Sequence, residues 1–321
     1  MILLAMSLFA AAASPSAEPA PACAAAVAFT GTVCTPSSSG KHPAILVLGG
    51  SEGGDSPRAA AKFSSYGYVA ASVAYFGAPG LPDSLQQIPV ETVGKALAAI
   101  EKRDDVDAGR IAIFGISKGG EFALLAAATY PHIHAVIADV PSPFAWEGIP
   151  AGASSVHESS WTVDGKPLPF LPFTAAIGQA FGAAFTTHTP LDLRPAYDAS
   201  MNDSAAVTAA FFHLEKINGP VLFLSAGDDR IWNSPEHARM GLAYLKKMHH
   251  GFADEVKDYP LAGHLFVFAT TARPFVDTPF IGGLTLRLGG TAQANVDAAT
   301  DAWPRMSSFL GSSLHSRSSS R

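Results

Sequence analysis

Apolar residues in this chain fall into short runs, separated by longer stretches where they recur at helical spacing. Residues 44–48 form a five-residue apolar run closed by Gly49-Gly50, the pattern of a buried strand. Residues 68–75, 111–114, 134–140, 221–225 and 255–259 repeat that pattern; the third ends at Gly115 and the fifth follows Gly219-Pro220. Four stretches predict helices. Residues 90–102 carry apolar positions at helical spacing, and residues 117–130 are rich in Ala and Leu almost all round, as in a buried helix. Residues 235–248 begin with Pro after Ser234, the expected N-cap, and residues 298–310 close the series. Strands alternating with helices predict an α/β fold with a mostly parallel sheet covered on both faces.

The rhythm breaks over about 141–218, where Gly, Pro and aromatic residues are frequent. This stretch is expected to be an insertion, a lid over the C-terminal edge of the sheet, where ligands bind in open α/β folds. Residues 312–321 are rich in Ser and Arg and are expected to be a disordered tail. At the other end, Met1 to Ala13 form an apolar segment shorter than the roughly 20 residues of a membrane span. A signal peptide over 1–22 is expected, with small residues offering cleavage after Ala13 or Ala22, and hence export to the periplasm or outside. It is atypical in having no basic residue before the apolar run. Segment 23–42 then leads to a catalytic domain over 43–311.

Composition narrows the class. With 48% hydrophobic and 15% charged residues, a chain of 321 residues buries a large core. Acids outnumber bases 27 to 21, which leaves no basic excess for nucleic acid. The two cysteines, Cys23 and Cys34, suit one disulfide in an oxidising compartment and make no zinc cluster. His132 and His134 suggest no third metal ligand nearby, and neither a metal nor an organic cofactor is expected.

Two turns match the pattern G-x-S-x-G: Gly49-Gly50-Ser51-Glu52-Gly53 and Gly115-Ile116-Ser117-Lys118-Gly119. A nucleophilic serine on this motif must sit where a strand turns directly into a helix. Ser117 has that context. Around Ser51, the run Gly53-Gly54-Asp55-Ser56-Pro57 delays any helix. Ser117 is therefore the candidate nucleophile, and the Ser51 turn a candidate oxyanion loop. The N–H of Lys118 would supply one donor, and that of Ser51 or Glu52 the second. A serine needs a base oriented by an acid, in the chain order Ser, acid, His. The turn after residues 221–225 offers Asp228 and Asp229, and the loop after residues 255–259 offers His264. His132, His134, His249 and His250 read as structural or surface residues.

The run Gly115-Ile116-Ser117-Lys118-Gly119-Gly120-Glu121 resembles the nucleophile motif of the acyl-CoA thioesterase / bile acid-CoA:amino acid N-acyltransferase family, in its C-terminal catalytic domain. More distantly it is similar to dienelactone hydrolases. Ala74-Tyr75-Phe76-Gly77, Ser160-Trp161, the Asp228-Asp229 turn with Trp232 and Ser234, Ala262-Gly263-His264, Gly289-Gly290-Thr291 and Trp303-Pro304 match in the same order. The resemblance covers about 43–310 and implies an α/β-hydrolase fold with Ser117, Asp229 and His264 as triad; it selects Asp229 over Asp228. The implied substrate is a small-molecule acyl thioester or ester, with no stable membrane span.

Three departures bear on substrate. The N-terminal β-sandwich of many family members is expected to be absent. Family transferases carry Cys where this chain has Ser117, which favours water over an amine as acceptor. Export conflicts with acyl-CoA, an intracellular substrate. The alternatives are an exported carboxylesterase or an acyltransferase with a non-CoA substrate, or a non-catalytic binding protein of the same fold. Phe144, Trp146, Trp161, Phe170 and Phe173 are candidates for an acyl pocket in the insertion. Glu121, in the first turn of the nucleophile helix, suits the helix dipole without a catalytic role; it and Glu215 stay open between bracing and site roles.

Overall fold

The computed structural model describes residues 21–152 and 156–315. The expected signal peptide lies outside these residues except for Pro21 and Ala22. Thirteen strands run in chain order: β1 (Ala22–Ala25), β2 (Gly31–Thr35), β3 (His42–Leu48), β4 (Val69–Val73), β5 (Ile88–Pro89), β6 (Val106–Ile116), β7 (Ala135–Asp139), β8 (Trp161–Val163), β9 (Lys166–Pro167), β10 (Val221–Ala226), β11 (Glu255–Tyr259), β12 (Asp277–Pro279) and β13 (Thr285–Arg287). The helices are α1 (Pro57–Ser64), α2 (Glu91–Glu101), α3 (Lys118–Thr129), α4 (Ala175–Thr187), α5 (Arg194–Ser200), α6 (Ser204–Ala210), α7 (Ser234–Lys247) and α8 (Ala292–His315).

Eight strands form one sheet in the order β1-β2-β4-β3-β6-β7-β10-β11. The six from β4 to β11 are parallel, and β1 and β2 add an antiparallel edge. This is the α/β-hydrolase fold. Period-two alternation divides the core. Ala44, Leu46 and Leu48 of β3 face the side covered by α2, α3 and α7, while Ile45 and Val47 face α1 and α8. Each fully buried Ile, Leu or Val contributes about 1.5–3 kcal/mol, so both faces have reason to stay covered.

Several expected boundaries move. Segment 23–42 is not a separate lead-in: its first part forms β1 and β2 of the main sheet, where Cys23 stands opposite Cys34 and is disulfide-bonded to it. Ser234 does not cap α7. Asn233 does, accepting from Glu236 N, while Ser234 Oγ accepts from Ala226 N. Helix α8 runs from Ala292 to His315, longer than 298–310 at both ends. Residues 312–315, expected in the disordered tail, continue it because Leu314 is buried against the α8 face of the core.

The stretch 141–218 carries β8 and β9, which join β5 in a small three-stranded sheet, together with α4, α5 and α6. Its apolar side chains, among them Phe144, Trp146 and Leu171, pack with Ile231 and Trp232 from the chain after β10 and with Leu284, Leu286 and Leu288. Among the described residues no helix is long and apolar enough to cross a membrane.

Candidate active site

The nucleophile turn is built by close backbone packing. β6 ends at Ile116 and α3 starts at Lys118, leaving Ser117 alone between them at φ 55° and ψ −123°. That left-handed backbone is costly for a residue with a side chain and marks a constrained site. The flanking glycines are sterically required. A Cβ on Gly115 would fall 2.0 Å from Gly119 O, and one on Gly119 would fall 2.1 Å from Gly49 O. The second contact presses the two G-x-S-x-G turns together. Ser117 N donates to Asp139 O at the end of β7, fixing the turn from the other side.

Three expected residues meet here from three separate loops. His264 Nε2 lies 2.8 Å from Ser117 Oγ. His264 Nδ1 lies 2.8 Å from Asp229 Oδ2 and 2.9 Å from Oδ1. A carboxylate only accepts, so Nδ1 carries the proton and Nε2 is left to accept from the serine. Asp229 Oδ1 also accepts from Ile231 N at 2.9 Å and Trp232 N at 3.3 Å. All three side chains are buried; Ser117 keeps 6% exposure and His264 3%. The Asp228 carboxylate turns away, to Arg230 Nε at 2.7 Å and Gly290 N at 2.8 Å. Neighbouring acids in one turn are thus given different partners.

The Ser51 turn lies beside this group. Ser51 and Glu52 are exposed, and the Glu52 carboxylate folds back to accept from Gly50 N at 3.0 Å. Lys118 N stands at the first position of α3, where no carbonyl of its own helix is in reach. Tyr75 Oη donates toward Gly49 O at 2.7 Å and Gly50 O at 3.1 Å, holding the turn in place. Tyr75, in the matched run Ala74-Tyr75-Phe76-Gly77, was given no role at the site, because nothing local ties it to partners some 25 residues earlier. Burial pushes its phenol well above its ordinary pKa, so it stays a donor. Asn295 was missed for the same reason. Fully buried on α8, it accepts from Gly263 N at 2.8 Å and donates to Pro274 O at 2.9 Å, which steadies the loop before His264.

Two further buried groups stand nearby. Asp139 is fully buried, and among the described residues neither carboxylate oxygen has a hydrogen-bond partner. Burial, and secondarily the charge of Asp229, push its carboxyl well above the usual range. His237 sits among Phe144, Trp146 and Trp232, and burial pulls its imidazole down to about 4. Among the described residues no group of three potential metal ligands occurs.

A cleft of about 1040 Å³ borders the Ser51 turn at Glu52, and none of Ser117, Asp229 and His264 lines it. One wall runs from Glu52 to Ala59, and the other includes 267–270, just after His264. Arg58, Lys62 and Arg273 line it, and none of them makes an ion pair among the described residues.

The chain is similar to known proteins over most of its length. The family described as "BAAT / Acyl-CoA thioester hydrolase C terminal" matches residues 88–316. Acyl-coenzyme A thioesterase 6 of Mus musculus is 25% identical over 299 residues, 90% of this chain and 64% of its own length. The Mus musculus acyl-coenzyme A amino acid N-acyltransferase 1 is 24% identical over 289 residues, 87% of this chain and 62% of its own. The chain thus spans less than two thirds of these relatives. A solved dienelactone hydrolase-like promiscuous phosphotriesterase from metagenomic libraries has 14% identity and a TM-score of 0.51, covering 88% of this chain and 92% of that one.

Proposed function

The chain belongs to the BAAT / acyl-CoA thioester hydrolase C-terminal family, and from that premise we propose that it is a serine hydrolase of acyl thioesters or carboxylic esters. The observation that carries the proposal is the continuous hydrogen-bonded line from Ser117 Oγ through His264 to Asp229. Ser117 Oγ attacks the acyl carbonyl while His264 Nε2 takes its proton. Asp229 holds the tautomer and stabilises the imidazolium that forms. The oxyanion is received by Lys118 N–H and by an N–H of the facing turn, at Ser51 or Glu52. His264 then returns the proton to the leaving thiol or alcohol, and the Ser117 acyl ester is hydrolysed by water along the reverse path. No step uses a metal or an organic cofactor.

Of the expected acyl-pocket aromatics, Phe144, Trp146 and Trp161 are fully buried in the packed interior, which leaves the half-buried Phe170 and Phe173 as candidates for the acyl side. The alternatives are an exported carboxylesterase or an acyltransferase acting on a non-CoA acyl donor. Export of the chain is part of the proposal, supported by the apolar leader pattern and the Cys23–Cys34 disulfide. The test is hydrolysis of matched acyl-CoA thioesters and p-nitrophenyl esters of several chain lengths by wild type and Ser117→Ala. Thioester turnover lost in the variant supports the thioesterase reading. Ester turnover alone moves the substrate to a non-CoA ester, and turnover surviving in Ser117→Ala removes the nucleophile.

A further inference from the structure

Immediately behind the nucleophile lies a buried ion pair that the chemistry above does not use. Lys118 is 2% exposed and Glu121 is fully buried. Lys118 Nζ lies 2.7 Å from Glu121 Oε2 and 2.8 Å from Oε1. Burial pushes the Glu121 carboxyl up and the Lys118 ammonium down, and each draws the other back toward its charged form. Removing two charges from water costs several kcal/mol per ion, and well-packed apolar residues of the same size often serve stability better. A pair kept in such a place calls for a role other than stability.

Its remaining bonds all reach the lid. Lys118 Nζ also donates to Ser160 Oγ at 2.8 Å. Glu121 Oε1 accepts from Trp146 N at 3.0 Å and from Trp161 Nε1 at 2.5 Å. Ser160 Oγ in turn donates toward Trp146 O at 2.9 Å. The first turn of α3 is thereby tied to two lid segments at once. The tie continues toward the reaction. Trp146 stacks on Trp232 at 6.3 Å between ring centroids, and Trp232 meets His264 edge-on at 5.7 Å. Trp232 N also donates to Asp229.

We propose that Glu121, with Lys118 as its counter-ion, is a positioning residue that holds the lid against the nucleophile helix and so fixes the Trp146–Trp232 wall behind His264 and Asp229. This rests on the Ser117–His264–Asp229 reading. It acts on the catalytic step through those rings and leaves substrate binding little changed.

The test compares two neutral double variants, Lys118→Met/Glu121→Met and Lys118→Met/Glu121→Gln. Both remove the ion pair, but only Gln keeps an oxygen for Trp146 N and Trp161 Nε1. The Met/Met protein is expected to melt within a few degrees of wild type and to lose kcat about tenfold or more, with KM changed less than about twofold. Its Ser117 should react with a fluorophosphonate more slowly in the same proportion. The Met/Gln protein is expected to recover kcat to within about threefold of wild type. Wild-type kcat in the Met/Met protein, or equal losses in both, overturns the proposal. If Met/Met does not fold, Trp161→Phe removes a single donor to Glu121; a kcat loss of about threefold at unchanged Tm is expected, and no loss overturns it. The underlying triad reading fails separately, as wild-type turnover that persists in Ser117→Ala.

Discussion

Two turns in this protein share the pattern G-x-S-x-G, and they are pressed against each other, yet only one meets a histidine. The turn at Ser117 passes directly from β6 into α3 and places its serine 2.8 Å from His264. The turn at Ser51 runs through Gly53 and Gly54 before α1 begins at Pro57, and its serine is exposed. The acids behind them differ as well. Asp55, after the Ser51 turn, accepts from the hydroxyls of Thr32 and Ser72. Asp139, behind the Ser117 turn, has no hydrogen-bond partner for either oxygen among the described residues. The motif alone therefore does not define a nucleophile. The path of the chain into and out of the motif decides, because it determines whether the hydroxyl points at a base or at water.

The largest expected effect breaks that comparison outright. Ser117→Ala should lower kcat by at least about 10³-fold in steady-state assays, with little change in Tm. Next, Gly119→Ala tests whether the turns must touch. Its new Cβ would meet Gly49 O at 2.1 Å, so the turns should separate. A loss of about 10²-fold in kcat and about 1–3 kcal/mol of stability in urea titration is expected.

Asp139→Asn sharpens the contrast between the two acids. The folded carboxyl titrates above the unfolded value of about 4, so the folded chain keeps a proton that the unfolded chain gives up. Wild-type stability therefore falls as pH rises above about 4. The advantage of Asp139→Asn should be absent near pH 4 and grow toward neutral pH, by about 1.4 kcal/mol per pH unit until the folded carboxyl itself ionises. Urea midpoints at pH 4.5, 6 and 7.5 check the slope, and a pH-independent difference would contradict it. The smallest effect is expected for Ser51→Ala. It leaves every backbone N–H in place and should keep kcat/KM within about twofold.

The central sheet was legible in the sequence because parallel strands buried on both faces are continuous apolar runs. Strand β11 coincides with the expected 255–259, β3 and β10 differ by one or two residues at one end, β7 by one residue at each end, and β6 extends beyond 111–114 on both sides. β1 and β2 were missed, since Ala, Gly, Cys and Thr give no such run. The cap of α7 was misplaced because Asn233 and Ser234 are equally good caps locally, and the choice depends on Ala226, eight residues away from Ser234. Ser117, Asp229 and His264 were found because chain order and strand ends constrain them. Glu121 was left open between bracing and a site role, with the helix dipole as its one local rationale. What surrounds it, Trp146 and Trp161, comes from 25 and 40 residues further on, and no local pattern shows that.

The most direct measurement is peptide mapping by mass spectrometry after reaction with a fluorophosphonate, which traps an activated serine as a stable adduct. The account predicts one adduct on the peptide containing Ser117, lost in Ser117→Ala and strongly slowed in His264→Ala. An adduct on the Ser51 peptide, or labelling indifferent to His264, would contradict it.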